Sequence, residues 1–403
     1  LLGFDTYADY VLQDRMAESL TTVKGFLDSF YKISKTQAIN DLAEVKLLAQ
    51  KMDGLKDPQP WDMGYYTEKL KQKKYGFNTE ELRPYFKMDN VITGVFKIAE
   101  KLYGLQFEEK FDIQTFHPSV KTYSVSDAKY GHLGILMLDL FPRTTKRNGA
   151  WMATLQPQGL IDGSSRRPIA CMGANLMPGT NDQPSLLSLQ EVKTIFHEFG
   201  HVLHNGIGKS KFARFLGANV EWDFVEAPSQ IMEHWVWKSE CLRRFSKHIE
   251  TGETLAHDLC ERLNSSKNIG ISLLTLRQVS FGLADQHLHG INFDDSLDQI
   301  EQESQKVTTI NYPDDTNHLG AFGHLLGGYD AAYYGYLWAD IIGDDLFSRF
   351  ENEGILSKEV GIDYKNKILS VGGSKDAEEM VQDFLGREWN DEAFLKQKKL
   401  GKS

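Results

Sequence analysis

Two histidines and a glutamate near the middle of the chain have residue types and spacing suited to metal chemistry. His197, Glu198 and His201 form the pattern H-E-x-x-H. In a helix, residues four positions apart lie on one face about one turn apart, so both imidazoles can converge on one metal ion. The carboxylate beside them could take a proton from a water molecule that the metal activates. The spacing alone therefore indicates a zinc hydrolase.

The element that must position these residues is predicted to be one helix over residues 188–208. Ser188 and Glu191 have the spacing of an N-terminal capping box. Two glycines, Gly206 and Gly208, end the pattern. A charged triplet in such a helix is costly to bury unless a partner or a metal compensates. Apolar residues at helical spacing predict that one face is buried: Val192, Ile195, Phe196, Phe199, Val202 and Leu203.

A third metal ligand must come from outside this motif, because catalytic zinc takes three protein ligands and keeps one position open. His204 is the nearest candidate, but it stands roughly 10 Å from His197 along the helix axis. We therefore interpret His204 as structural or as an outer partner of the ligands. The better candidate is Glu226, 29 residues after His197 (226 − 197), at the start of a second predicted helix that a turn can fold back onto the first. On the residues alone, three other carboxylates stay open as alternatives: Glu221, Asp223 and Glu233.

A second candidate segment, residues 324–338, is rich in tyrosine and glycine. If it is helical after residue 328, Tyr329, Tyr333 and Tyr336 share one face and Tyr334 points away. Peptide hydrolysis needs a hydrogen-bond donor where the oxyanion forms, and a phenol donates while it stays neutral at pH 7. An aromatic stripe packed in the core is the alternative interpretation.

Three motifs together resemble one known family. HEFGHVLH, DFVEAPSQ and FGHLLGGYDAAYYGYLW are similar, in order and spacing, to the thimet oligopeptidase and neurolysin family of zinc oligopeptidases. The resemblance extends from LLGFDTYADYVL at the start of the chain to FLGREWNDEAFL near its end. It implies that Glu226 is the third zinc ligand beside His197 and His201, with one Zn²⁺ per chain. It also implies that Glu198 is the general base.

The resemblance further implies that the tyrosine-rich segment is a mobile active-site loop. Tyr336 and Tyr333 rank first as donors to the oxyanion or the substrate, and Tyr329 comes next. His324 is expected to contact a substrate carbonyl. Two neighbouring glycines that give the loop freedom to move are also assigned to substrate binding: Gly327 and Gly328.

One position departs from the pattern of thermolysin-like zinc enzymes. In those enzymes, an Asp four residues after the glutamate ligand orients a histidine, and Gln230 stands at that position here. The group that orients the histidines must therefore be a different one. We name Glu233 as its candidate.

The patterns predict a mostly α-helical fold with a small β-sheet, and the resemblance implies a multi-helical zincin in which this sheet lies beside a deep substrate channel. Residues 1–118 are predicted to be the helical remainder of an N-terminal lobe, and residues 119–403 the zinc-binding catalytic region, with the sheet at about 119–180. An edge strand of that sheet is expected to flank the cleft and to pair with an extended peptide. Helices are predicted over 7–30, 38–52, 80–105, 275–289, 296–307, 333–350 and 376–385, and strands over 120–126, 134–140 and 169–177.

Composition narrows the partners and the location. The net charge is −11 and no basic stripe is present, so nucleic acid is not an expected partner. No apolar run approaches the length of a membrane span, so no membrane association is expected. Three cysteines at unrelated spacings predict no disulfide framework, which suits a reducing compartment. We expect a cytoplasmic or mitochondrial monomer. The chain starts at Leu1 within a helical pattern, and the resemblance implies that most of an N-terminal helical region, which forms one wall of the substrate channel, is missing.

The sequence therefore predicts a zinc metallo-endopeptidase that hydrolyses short oligopeptides. A non-catalytic peptide-binding fragment that lacks its N-terminal wall is the alternative. A zinc hydrolase with a non-peptide substrate is a third interpretation, which peptide-length-dependent cleavage would exclude.

Overall fold

Helices build most of the protein, and one small sheet packs against the helix that carries the H-E-x-x-H pattern. The computed structural model describes residues 2–161, 163–210, 212–290, 296–310, 312–313 and 316–401. The α-helices are α1 (Tyr7–Leu12), α2 (Leu20–Asp53), α3 (Met63–Tyr75), α4 (Met88–Tyr103), α5 (Leu189–Gly206), α6 (Ala227–Glu233), α7 (Ser239–Phe245), α8 (His257–Ser266), α9 (Ile271–His289), α10 (Leu297–Gln305), α11 (Gly335–Glu353), α12 (Lys358–Tyr364), α13 (Ala377–Leu385) and α14 (Glu392–Lys398). The strands are β1 (Leu105–Lys110), β2 (Lys121–Asp127), β3 (Gly131–Asp139), β4 (Trp151–Gln156), β5 (Gly159–Ile161), β6 (Ser164–Arg166) and β7 (Ile169–Gly173).

The main sheet has five strands in the order β1-β2-β3-β7-β4. The first three strands run antiparallel, β7 is parallel to β3, and β4 is antiparallel to β7. Strand β4 is therefore an edge of the sheet, while β5 and β6 form a separate two-stranded ribbon. The mainly helical fold with a small sheet is confirmed.

The N-terminal helices differ from the prediction in where they divide. Residues 7–30 and 38–52 were expected to form two helices, but α1 is short and α2 runs unbroken from Leu20 to Asp53. Glu18 has a positive φ of 58°, which breaks the chain between the two helices. Ser19 then caps α2 by accepting a hydrogen bond from the Thr22 N–H. Buried positions continue through the middle of α2, so packing holds it as one helix.

The helix expected over residues 80–105 is divided as well. Thr79–Tyr85 is a 3₁₀ helix that contains Pro84, and α4 begins only at Met88. Proline lacks an N–H and cannot continue the α-helical ladder from within. The chain instead makes a bridge to another segment at this point, where the Met88 N–H donates to the Ser185 carbonyl over 3.0 Å.

The three predicted strands correspond to β2, β3 and β7, and the sheet also recruits β1 and β4. The sheet thus begins at Leu105, upstream of residue 119. The main hydrophobic cluster takes buried side chains from both sides of that position, among them Leu27, Val91, Phe196 and Phe347. The division into 1–118 and 119–403 stays a prediction. Within the described residues, no helix is long and apolar enough to cross a membrane.

Candidate active site

Helix α5 presents the two histidines from a well-capped N-terminal half. The Ser188 hydroxyl accepts a hydrogen bond from the Glu191 N–H, and the Glu191 carboxylate accepts one from the Ser188 N–H over 2.7 Å. This reciprocal pair is the predicted capping box. The apolar face of α5 is buried against the sheet and α6, so the helix is held from both sides.

The side chains of His197, His201 and Glu226 converge on one point. Nε2 of His197 lies 3.2 Å from Oε2 of Glu226, and Nε2 of His201 lies 3.1 Å from the same oxygen. All three ligand atoms lie within 4.8 Å of one another. The structure thus brings together two imidazoles from α5 and one carboxylate from the residue before α6.

This cluster fits a tetrahedral zinc ion. Zinc bonds of about 2.0–2.1 Å in tetrahedral geometry separate neighbouring ligand atoms by about 3.3 Å. The two distances to the Glu226 oxygen are close to that value. Two imidazoles and one carboxylate are also a ligand set of catalytic zinc sites, which leave one position for water.

Glu226 reaches this point because α5 and α6 pack backbone to backbone. A Cβ at Gly200 would lie 2.4 Å from the Pro228 carbonyl oxygen and 2.5 Å from the Ser229 Cα. Only glycine allows this approach, so a larger residue at position 200 would push Glu226 away from the histidines. The Gly200 contact is a signal that the sequence prediction missed.

The Glu226 carboxylate is fully engaged. Oε2 accepts a hydrogen bond from the Ser229 hydroxyl over 3.0 Å, and Oε1 accepts one from the Tyr329 phenol over 2.5 Å. Burial raises the pKa of Glu226, but His201 and His197 outweigh that effect and hold the pKa well below its ordinary value. Glu226 is thus a carboxylate anion, the form that binds a metal.

Glu233 orients His197 from the other side. Its Oε1 lies 2.8 Å from Nδ1 of His197, and its Oε2 lies 2.7 Å from the ammonium of Lys193. Burial raises the pKa of Glu233, but Lys193 and His197 outweigh that effect and lower the pKa to about 2. An acceptor at Nδ1 selects the tautomer whose Nε2 is free for a metal. The structure therefore places the residue named from sequence in contact with His197.

Glu198 lies beside the cluster without belonging to it. Its side chain is buried, and among the described residues Oε2 has no hydrogen-bond partner. Burial raises the pKa of Glu198, although the two nearby histidines act in the opposite direction. A carboxylate with a raised pKa and an unused oxygen is suited to accept a proton.

The alternative carboxylates are engaged elsewhere. Glu221 accepts a hydrogen bond from the Ala377 N–H over 2.9 Å. Asp223 accepts hydrogen bonds from the backbone at residues 16 and 17 and from the Tyr334 phenol. His204 is completely buried, outside the His197–His201–Glu226 cluster, and neither of its ring nitrogens has a partner among the described residues.

The tyrosine-rich segment closes over the cluster. The rings of Tyr329 and Tyr336 stack with centroids 4.9 Å apart, and the His324 ring lies 5.8 Å from Tyr336. Tyr333 instead packs into a small apolar cluster with Phe281 and Phe322. The structure thus brings Tyr329, Tyr336 and His324 to the metal site and places the Tyr333 ring behind them.

The backbone of this segment is helical only in part. Residues 323–326 form a 3₁₀ turn, and α11 starts at Gly335. Gly328 between them has a φ of +94°, a conformation that favours glycine. Gln230, at the position where thermolysin-like enzymes carry an aspartate, donates a hydrogen bond to the Tyr336 carbonyl over 3.0 Å. Gln230 therefore anchors the tyrosine segment, and Glu233 is the residue that contacts His197.

A cavity of about 640 Å³ connects these groups. Its wall includes the edge strand β4, through Trp151 and Met152. The candidate residues that line it are His197, Glu198, His201, Glu226, His324, Gly327, Tyr329 and Tyr336. The cavity thus holds the His197–His201–Glu226 cluster, the Glu198 carboxylate, two phenols and an edge strand together.

The whole chain matches one family. A sequence model described as Peptidase family M3 covers residues 1–400. The chain belongs to Peptidase family M3. The predicted relationship to the thimet oligopeptidase family is confirmed, since the relatives include the thimet-like oligopeptidase of Dictyostelium discoideum, which is 34% identical over 98% of this chain and 61% of that protein.

Two further relatives are a bacterial and a yeast protein. Oligopeptidase A of Escherichia coli (strain K12) is 39% identical over 98% of this chain. Saccharolysin of Saccharomyces cerevisiae is 35% identical over 98% of this chain. The chain spans 59% of the length of each of these two relatives.

Solved structures share the fold at low identity. A carboxypeptidase from Pyrococcus furiosus superposes with a TM-score of 0.55 at 13% identity, over 99% of this chain and 70% of that protein. PZ peptidase A, in a structure with an inhibitor, superposes with a TM-score of 0.54 at 16% identity, over 98% of this chain and 60% of that protein. These likenesses show that the chain shares the overall fold of these two proteins.

Several residues that contact this cluster or line the cavity were not predicted from the sequence. Ser229 stands within the DFVEAPSQ motif, and its hydroxyl supports Glu226. Trp222 packs its ring 5.3 Å from that of Tyr329. Arg147 and Trp151 line the cavity from the sheet side. Ser229 could have been identified from the sequence, because it stands three residues after the predicted ligand. The contacts of Trp222, Arg147 and Trp151 depend on how the chain folds.

Proposed function

We propose that this protein is a zinc-dependent metallo-endopeptidase that hydrolyses short peptides. The observation that carries the proposal is the convergence of His197, His201 and Glu226 beside the buried, unpartnered carboxylate of Glu198. The ligand set supports zinc, and the family supports peptide substrates. A zinc ion in this site would polarise the scissile carbonyl and lower the pKa of an attacking water molecule.

Glu198 is the proton carrier in this proposal. Its unpartnered oxygen accepts a proton from the attacking water and then passes it to the amine that leaves. Its raised pKa suits both steps, since an acceptor of very low pKa would bind the proton too weakly to transfer it.

The tyrosine segment supplies hydrogen-bond donors. Tyr336 lines the cavity and has its pKa raised by burial and by the charge of Glu226, so its phenol keeps its proton at pH 7. A neutral phenol can donate to the oxyanion as negative charge develops there. Tyr333 is the second candidate donor, which requires its ring to leave the apolar cluster. Tyr329 and His324 are assigned to contacts with the substrate.

The substrate backbone is proposed to align along β4. An edge strand has free N–H and C=O groups that can pair with an extended peptide. Trp151 and Met152 of this strand line the same cavity as Glu198. Such pairing reads backbone rather than side chains, which suits an enzyme for varied short peptides.

The proposal includes a monomer in the cytoplasm or mitochondria, which light scattering and cell fractionation would test.

One paired measurement tests the proposed function. The zinc content of the purified protein is determined, together with cleavage of a quenched-fluorescent short peptide with and without a chelator. We expect one zinc per chain and cleavage that the chelator abolishes and added zinc restores. The His201→Phe variant serves as the inactive control. Zinc bound without cleavage of any peptide would overturn the proposal in favour of a peptide-binding protein.

A length series tests the substrate class. Peptides of increasing length and one unfolded protein substrate are compared by kcat/KM. We expect efficient cleavage of short peptides and little cleavage of the protein. Equal rates at all lengths would contradict the preference for short peptides.

A further inference from the structure

A buried carboxylate outside the active site holds the turn that joins the two stacked tyrosines. Asp285 lies on α9 and is completely buried. Its Oδ1 accepts a hydrogen bond from the Ala331 N–H and its Oδ2 accepts one from the Tyr333 N–H, both over 2.9 Å. These two N–H groups belong to the turn over residues 330–334, which lies between Tyr329 and the start of α11.

The turn needs such support because its backbone is strained. Ala331 has a φ of +55°, a region that favours glycine over alanine. Its N–H is bound by Asp285, and its carbonyl accepts a hydrogen bond from the Gln286 amide over 2.8 Å. Both polar groups of this one residue are therefore held by consecutive side chains of α9.

A histidine of the same helix contacts Asp285. Nδ1 of His289 lies 2.9 Å from Oδ1 of Asp285, one turn further along α9. The ring of His289 contacts that of Tyr7, whose phenol donates to Asp330 at the start of the turn. Asp285 thus lies at the centre of a hydrogen-bonded support behind the turn, where it has no contact with the metal cluster.

The consequence of this support lies at the metal site. Tyr329 precedes the turn and Tyr336 follows it. Their rings stack on each other, and the Tyr329 phenol donates a hydrogen bond to Glu226. The position of both phenols depends on the conformation of the six residues between them, five of which form the turn. We infer that Asp285 is a positioning residue, which fixes the turn and thereby places Tyr329 and Tyr336 at the catalytic cavity. The inference rests on the proposed peptidase function for its kinetic part only.

The central test is Asp285→Asn. The amide keeps one acceptor oxygen and turns an NH₂ group toward the second N–H, so one hydrogen bond is lost. We expect kcat to fall roughly tenfold to a hundredfold, as for a misplacement near 1 Å, with a smaller rise in KM and with one zinc still bound per chain. Hydrogen exchange of the amides of Ala331 and Tyr333 should accelerate, while exchange in α5 should not.

A matched control and a rescue separate positioning from general destabilisation. Asp127→Asn removes a similar buried carboxylate, which accepts from the N–H groups of Lys129 and Tyr130 and from the ammonium of Lys365 and does not line the cavity, and it should leave kcat unchanged. Adding Ala331→Gly to Asp285→Asn should restore part of kcat, because glycine adopts the positive φ without support. If Asp285→Asn acted only by general destabilisation, its kcat would not differ from that of Asp127→Asn, and adding Ala331→Gly would not raise it.

Each outcome decides the inference. Faster exchange with an unchanged kcat, or an unchanged exchange rate, would overturn it. If the parent protein does not cleave peptides, the proposed function fails, while the exchange rates still decide whether Asp285 holds the turn. If Asp285→Asn does not fold, Gln286→Met removes the other hydrogen bond to Ala331 and should lower kcat in the same way. An unchanged kcat in that variant would also count against the inference.

Discussion

Tyr329 and Glu226 share a hydrogen bond of 2.5 Å from the phenol to Oε1, while Oε2 of the same carboxylate faces the two histidines. One carboxylate therefore joins the candidate metal cluster to the tyrosine segment. The position of the Tyr329 phenol and that of the candidate ligand Glu226 are therefore linked by one hydrogen bond.

The tyrosines should differ in their contributions. We expect Tyr336→Phe to lower kcat on the order of 10²–10³-fold, the effect of losing one oxyanion donor. Tyr333→Phe should cost less, because its ring packs among phenylalanines. Steady-state kinetics of both variants, with the exposed Tyr65→Phe as a control, measure the order. A larger loss for Tyr333→Phe would show that this ring moves into the cavity during catalysis.

Zinc binding should depend on Glu226 and not on its neighbouring carboxylate. We expect Glu226→Gln to weaken zinc binding by more than the roughly 10–100-fold typical of losing an outer partner. Glu221→Gln should bind zinc normally, because Glu221 bonds the Ala377 backbone instead. Competition titrations with a zinc chelator compare the two. Zinc loss in Glu221→Gln alone would refute the ligand assignment.

Removing Glu233, the partner of His197, should weaken zinc binding less than removing the candidate ligand Glu226 does. Glu233→Gln keeps an acceptor oxygen but loses the negative charge of the carboxylate, which contacts both Lys193 and His197. We expect zinc affinity to fall roughly 10–100-fold, with the fold unchanged by circular dichroism. Glu240→Gln, at an exposed position on α7, is the control. Unchanged affinity in Glu233→Gln would mean that this carboxylate does not orient the ligand.

Glu198→Gln should separate metal binding from catalysis. The amide cannot accept a proton, so kcat should fall by about a thousandfold or more, in the range of general-base contributions. The variant should still bind one zinc per chain, because Glu198 lies outside the ligand cluster. Metal analysis and kinetics on the same preparation check both parts. Near-normal turnover would refute the base assignment.

Buried His204 should make the metal-free protein sensitive to acid. Burial lowers the pKa of His204 from 6.5 to about 3. Between these values the unfolded chain binds a proton that the folded chain does not, so stability falls as the pH drops from 6.5. One such group contributes up to about 1.4 kcal/mol per pH unit.

The free energy of unfolding in urea, measured with chelator at pH 7 and pH 5, tests this effect. His204→Gln should lose less stability than the parent between the two values, while the exposed His132→Gln should behave as the parent does. Equal losses in the parent and His204→Gln would show that His204 does not remain neutral in the folded protein.

Local patterns predicted α5 and its motif well. The capping box of Ser188 and Glu191 and the helical spacing of His197 and His201 involve residues three or four positions apart, and the helix pitch alone sets their geometry. The division of the N-terminal helices was predicted less well. There, packing along α2 and the positive φ at Glu18 decided where helices begin and end.

By itself, the sequence determined that two histidines share a helix face, that a carboxylate stands beside them, and that the motifs resemble the thimet oligopeptidase family. The tertiary structure decided which carboxylates surround the histidines. Glu226, Glu221 and Glu233 have similar chemistry, and the packing of the helices decides that Glu226 reaches Nε2 of both histidines, that Glu233 reaches Nδ1 of His197 and that Glu221 bonds elsewhere. The same holds for Asp285, which is 46 residues from Ala331 in the chain. Contacts at such separations form only when helices pack, so periodicity within one helix carries no information about them.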